Sequence, residues 1–247
     1  MKTGKHIYIA PLLLLGALGG AGLSAQEGYS YAFKARGGLI AGDLQTTHFD
    51  NKIISFGAEV RREMLGPGCA LTFELAWEYV PGRHHDVRKP IFISDDPEQD
   101  WDDNKYNYDT RKEYGQGFSF KFAYNAPFKP FAWAPSDMEW FAGISLDMHS
   151  VRTEVEFGIY DTDWDGPYGD SFVEQGSALT PGFFGGLRKK LGDGTACELT
   201  LRNFGMKHFE YTPGVYLDNF GPGKGAGKLE TGTSRGWSIE FAFSVKI

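Results

Sequence analysis

Three aspartates at alternate positions followed by a glycine, Asp161-Thr-Asp163-Trp-Asp165-Gly166, carry the clearest chemistry in this chain. Carboxylates spaced in this way converge on a hard cation, and the glycine permits the sharp turn that closes them, as in the first half of a calcium loop. The second half departs from that pattern. Its twelfth position is Phe172 rather than a bidentate glutamate, and the nearest acids are Asp170 and Glu174. Two readings stand: an acidic, flexible loop tip, or weak Ca2+ binding by segment 161–174 with Asp161, Asp163 and Asp165 as ligands, in the millimolar range of extracellular modules. No helices are expected to flank it.

Other clusters offer less. Asp147, His149 and Ser150 are the residue types of nucleophilic hydrolysis, but adjacent residues of a strand face opposite sides, so His149 and Ser150 do not meet. Gly169-Asp170-Ser171-Phe172 has the form of an esterase nucleophile block, which needs an Asp three residues before a later His; before His208 that position is Gly205. His84, His85 and Asp86 are neighbours in one segment with no fourth ligand indicated, and read as a solvated loop. Asp95, Asp96, Glu98, Asp100, Asp102 and Asp103 form a negative loop that also suits divalent cations at a lipopolysaccharide surface. No catalytic residue is assigned and no organic cofactor is implied, so the chain is read as a non-enzyme.

The elements that would position these residues begin after a leader. Lys2 and Lys5 precede an apolar, glycine-rich run from Ile7 to Leu23, and Leu23-Ser24-Ala25 offers a small-x-small cut before Gln26. Residues 1–25 are therefore expected to be a cleaved signal peptide, and 26–247 one barrel domain. The full chain has 25 basic and 32 acidic residues. Losing Lys2 and Lys5 leaves 23 against 32, a net charge of about −9, which disfavours a nucleic-acid partner. Two cysteines, Cys69 and Cys197, exclude a disulfide-dense scaffold. Beyond the leader no apolar run reaches the roughly 18 residues of a spanning helix, so a membrane location requires a closed barrel.

Alternation with period two dominates the rest. In Cys69–Val80, Leu71, Phe73, Leu75, Trp77 and Tyr79 take one face and Thr72, Glu74 and Glu78 the other. The C-terminal Trp237–Ile247 repeats the pattern, and Tyr31–Gly42, Ile53–Met64, Gly115–Tyr124, Met138–Ile159, Ser177–Lys190 and Thr195–Gly205 complete eight strands. The phase of Met138–Ile159 changes near His149 and Ser150, which predicts a bulge or the point where the strand leaves the membrane. Connections alternate: Gly66–Gly68, Asn125–Asp137 and Gly192–Gly194 are short or moderate, whereas Asp43–Lys52, Pro81–Tyr114, Tyr160–Gly176 and Met206–Ser234 are long.

Eight strands enclose an interior just wide enough to be filled by side chains. The apolar faces hold more large residues than such an interior accepts, so they are assigned to the outside, facing lipid. A two-sheet sandwich would also bury them but leaves the alternation of connection lengths unexplained. The polar faces then line the lumen with Lys34, Arg36, Arg61, Lys121, Arg188, Arg202 and Lys246 beside Glu59, Glu74, Glu78, Asp147, Glu198 and Glu240, a salt-bridged plug. Tyr31, Tyr124 and Trp140 fall near one rim, and Trp77, Tyr79, Phe118 and Trp237 near the other.

Signal, eight alternating strands, long outer connections and the terminal strand Trp237–Ile247 make the chain similar to the small outer-membrane barrels of the OmpA, OmpX and OmpW type. It departs from them at Ile247, where they usually end in an aromatic residue read by the assembly machinery. The resemblance implies an all-β, eight-stranded antiparallel up-and-down transmembrane barrel with long extracellular loops, in the bacterial outer membrane. Its expected partners are outer-membrane lipid and lipopolysaccharide, and the assembly machinery during biogenesis. The expected role is a non-enzymatic, structural or surface-contact protein of the envelope; the alternative is a narrow pore or small-molecule transporter.

Overall fold

The computed structural model of the chain describes residues 28–42, 50–64, 68–82, 84–90, 105–128, 137–161, 166–212 and 228–247. Nine strands occupy them: β1 Tyr29–Gly42, β2 Lys52–Glu63, β3 Ala70–Val80, β4 His84–Pro90, β5 Lys105–Pro127, β6 Met138–Asp161, β7 Gly166–Gly192, β8 Thr195–Thr212 and β9 Lys228–Lys246. Pairing is antiparallel throughout, and it closes on itself through β1–β2, β2–β3, β3–β5 and onward to β9–β1. Eight strands make the ring. β4 pairs only with the outer part of β5, as His84↔Lys112 to Pro90↔Tyr106.

The registers fix the barrel's dimensions. From Leu39 the partners run Ile239, Leu201, Gly185, Ala142, Tyr124, Leu71 and Arg62, returning to β1 at Tyr29, ten residues from the start. A stagger of ten residues over eight strands, with about 3.3 Å per residue and about 4.8 Å between strands, sets a tilt of about 41° and a backbone radius of about 8 Å. Such a tube has room for side chains and little else.

At one end β7 and β8 are joined by a tight turn in which Gly194 takes φ 94°, a left-handed conformation that glycine adopts without a Cβ penalty. At the other end four strand pairs, β4–β5, β5–β6, β6–β7 and β8–β9, rise well beyond the ring. β6 and β7 stay paired from Val151↔Gly176 to Asp161↔Gly166, which at this tilt carries them about 25 Å further. The long connections foreseen from the sequence are therefore partly strand: Tyr160–Gly176 is mostly the β6–β7 hairpin, and Pro81–Tyr114 contains β4 and the start of β5. Above Phe183↔Asn203 the ladder between β7 and β8 stops. Pro181, which has no N–H to donate, stands just past that point, and Thr180 donates its hydroxyl to the Gly205 carbonyl instead (2.7 Å).

No bulge interrupts β6. Its register is continuous with both β5 and β7 from the start of the strand to Asp161. The phase change at His149–Ser150 is an exchange of polarity between the two faces of an unbroken strand.

Candidate functional site: the charged lumen

The alternation read from the sequence predicts which side chains meet inside the ring, and the structure places them there. Among the described residues the middle of the lumen holds five buried cations, Lys34, Arg36, Lys121, Arg188 and Arg202, with six buried acids, Glu59, Glu74, Glu78, Asp147, Glu198 and Glu240, while Arg61, Glu113 and Glu139 are buried nearer its ends. The near balance of sign lets every charge lie against an opposite one. They form two layers that touch. In the layer nearer the short turns, Arg188 donates through Nε to Glu198 (2.7 Å) and through Nη2 to Glu59 (2.6 Å). Lys34 sits between Glu59 and Glu198, 2.8 Å from the latter, and Arg36 forms a two-pronged pair with Glu74.

The second layer centres on Arg202, which is wholly buried. Its guanidinium donates to both oxygens of Glu78 (2.6 and 3.0 Å), to Asp147 (2.5 Å) and to the Ser119 hydroxyl (3.2 Å), with Glu240 at 3.5 Å. Glu78 also accepts from Lys121 (3.0 Å) and from His149 Nε2 (3.0 Å), and Asp147 accepts from Ser119 (2.6 Å) and Ser145 (3.0 Å). Planar, multidentate arginine pairing of this kind makes the strongest protein hydrogen bonds and fixes geometry as well as charge. The interior is crowded enough that a Cβ at Gly182 would lie 2.5 Å from Ser145 Oγ and 3.1 Å from Asp147 Oδ2.

Both mouths are covered. Towards the short turns Arg61 pairs with Glu139 (2.7 Å) and Glu63 (2.8 Å), and Lys190 reaches Glu139 (3.0 Å). Towards the long connections, Ile40, Ile53, Val80, Val151, Phe204 and Met206 form a buried apolar layer over the charges. His149 marks the boundary, bonded to Glu78 on the charged side and facing the Phe204 ring at 6.2 Å on the apolar side.

The outer surface is the reverse. Leu39, Phe73, Ile144, Leu179, Ile239 and Phe241 are exposed, Ile144 by 66%. Five apolar outward residues span nine positions of a strand, as in Leu71–Tyr79, Trp140–Met148 and Trp237–Val245, which at the barrel's tilt of about 41° is a band about 22 Å tall. On this register Tyr31, Tyr124 and Trp140 lie at the end bearing the short turns, and Trp77, Tyr79, Phe118 and Trp237 at the other. The Tyr124 hydroxyl donates to Cys69 Sγ (3.1 Å), and Cys69 and Cys197 are both free thiols.

Twelve of the thirteen lumen charges expected from the sequence are buried inside; the exception is Lys246, exposed at the last residue of β9. The wall ends there, so the alternation no longer places the side chain between water-free surfaces. Sequence reasoning passed over Glu139, one step before Trp140 on the polar phase of β6, and weighed His149 only as a catalytic base. Of the candidate calcium ligands, Asp161 ends β6 opposite Gly166, whereas Asp163 and Asp165 lie outside the described residues. Gly166 to Phe172, the later half of that motif, runs as β7. His84–Asp86 open β4, and Asp95–Asp103 lie outside the described residues. Among the described residues no group of three or more His, Cys, Asp or Glu side chains is disposed to hold a metal.

A closed eight-stranded barrel, charged within and apolar without, is the class that fold and lumen define together. Among solved structures the chain is similar to Neisserial surface protein A, at 10% identity over 89% of this chain and 97% of that one with a TM-score of 0.40. It is also similar to a major outer membrane protein from Thermus thermophilus (10% identity, 88% and 99% covered, TM-score 0.39). A third is Ail, the attachment invasion locus protein of Yersinia pestis, in complex with the heparin analogue sucrose octasulfate (9% identity, 90% and 100% covered, TM-score 0.36). No protein-family model and no curated protein matches the chain. At TM-scores below 0.5 the barrel stands on this chain's own strand pairings.

Proposed function

We propose that the mature chain is a non-enzymatic, water-tight β-barrel of a bacterial outer membrane, delivered by the leader 1–25 and serving as a structural or surface-contact protein of the envelope. One observation carries this reading: large apolar side chains are exposed in a band about 22 Å tall while arginines and glutamates are buried beneath them. Water would reward the opposite arrangement, since burying an ion costs several kcal/mol and exposing a continuous apolar belt invites aggregation. Lipid removes the second difficulty, and the band is close to the roughly 25 Å that outer-membrane barrels present. Polar strand pairs rising beyond the belt supply the surface for outside contacts.

The filled lumen favours a closed barrel over a pore, because the two ion-paired layers are capped by Arg61–Glu139 at one mouth and an apolar layer at the other. The test is twofold. Cells expressing the full chain should yield it in the outer-membrane fraction beginning at Gln26, and the refolded protein should give no steady conductance in planar bilayers. Recovery from the soluble periplasm would defeat the membrane reading, whereas a stable open channel would defeat the closed lumen and promote the transporter.

A further inference from the structure

Among the described residues, the rim next to the short turns divides into two unlike halves. Arg62 on β2 and Lys189 on β7 are exposed on the lipid-facing phase, and Lys190 on β7 and Lys246 on β9, on the lumen-facing phase, are exposed where the wall ends. Laid out on the ten-residue stagger, these four fall within about one residue step of a common level, just past the apolar belt. The strands carrying them, with β8 and β1 between, cover five consecutive positions of the eight-membered ring. The other half shows Leu71, Tyr124 and Trp140 at the corresponding height.

One acid at this level, Glu139 on β6, is buried and already pairs with Lys190 (3.0 Å) and Arg61 (2.7 Å); the other acids at this end sit elsewhere. Glu63, Asp137 and Asp193 lie one or more residue steps further from the belt than the cations, and Glu63 is already held by Arg61. Arg62 extends along the rim with its guanidinium over the Tyr29 ring, 5.4 Å from the centroid. Long cationic side chains at such a level lay their stems on apolar surface and carry their charge to headgroup depth. The opposite rim differs. Its outward cations Lys52, Arg235, Arg152 and Lys112 are scattered over about 11 Å of height by the same register, and Lys52 and Arg152 are held by Asp50 (3.6 Å) and Glu154 (2.8 Å).

We infer that the arc of Arg62, Lys189, Lys190 and Lys246 binds the headgroups of anionic phospholipids in the leaflet next to the short turns, orienting one side of the barrel toward them. The inference rests on the membrane reading above. Lipid phosphate fits because a row of cations at one depth, spread over about 25 Å of circumference, matches several small anions held in a plane rather than one compact ligand.

The full barrel would be refolded into phosphatidylcholine vesicles containing a trace of spin-labelled phosphatidylglycerol or, separately, spin-labelled phosphatidylcholine. The motionally restricted fraction of each label measures enrichment at the barrel surface. One cation near an anionic surface is worth a factor of about five, so the wild type should enrich the glycerol lipid at least about fivefold. The triple variant R62Q/K189Q/K246Q should fall below about twofold, as should the wild type in 1 M salt. Lys190 is left in place because it also braces Glu139. The opposite-rim variant K52Q/R235Q should keep the wild-type preference. An inserted barrel with no preference, or one whose preference survives the triple variant or is lost only with K52Q/R235Q, overturns the arc. A chain that never enters the vesicles overturns the membrane reading, and the arc with it.

Discussion

Arg202 holds together three acids buried inside the barrel, and the energetics of the lumen follow from that. Removing one partner of a buried ion pair costs about 3–5 kcal/mol, because the remaining charge stays buried and uncompensated. Arg202→Ala leaves Glu78, Asp147 and Glu240 facing one another, with Lys121, His149, the more distant Arg36 and three serines to offset them. It should therefore lower refolding stability by about 3–5 kcal/mol in a urea titration in lipid. Lys190→Ala, whose ammonium is half exposed beside Glu139, should cost about 0–1 kcal/mol. Equal losses would mean that the lumen is wet rather than packed. The residues of this network were legible because sign and alternation coincide: Glu74, Glu78, Arg202 and Glu240 all fall on polar phases. What could not be read was which acid meets which base. Arg202 contacts Glu78 from 124 positions away, and only ring closure sets that pairing.

Strands carry their information differently inside and outside the belt. Within it one face meets lipid and the other meets charge, so Trp237–Val245 alternates with the small, buried Ala242 as its one exception. Beyond it that contrast disappears. On β6, Ser150 and Arg152 turn outward while Val151 joins the buried apolar layer, so the sequence pattern inverts and then fades, and the paired extension to Asp161 resembles loop. The same physics explains why β4 and the outer part of β7 went unseen. The belt has its own test at this scale. Ile144 is near mid-height and 66% exposed, so Ile144→Arg should cost about 2–4 kcal/mol in refolding into lipid. Ile144→Val at the same position should cost under about 1 kcal/mol, since it removes one methylene from a site with no core to leave empty. A tolerated arginine would place Ile144 in water.

For the whole molecule, eight strands and their polarity were legible, whereas the ten-residue stagger was not, because it depends on registers between segments that no local pattern specifies. That stagger sets a radius of about 8 Å, and with it the reason the lumen fills with salt bridges rather than water. The central claim is that the barrel is inverted relative to a soluble protein, with odd-numbered residues of β9 in lipid and even-numbered ones inside. Spin labels placed singly at positions 237 to 245, in protein refolded into vesicles, report their exposure to oxygen dissolved in the bilayer. Accessibility should oscillate with period two, high at 237, 239, 241, 243 and 245 and low at 238, 240, 242 and 244. Maxima at the even positions, or high access to a water-soluble relaxant at the odd ones, would contradict the inversion.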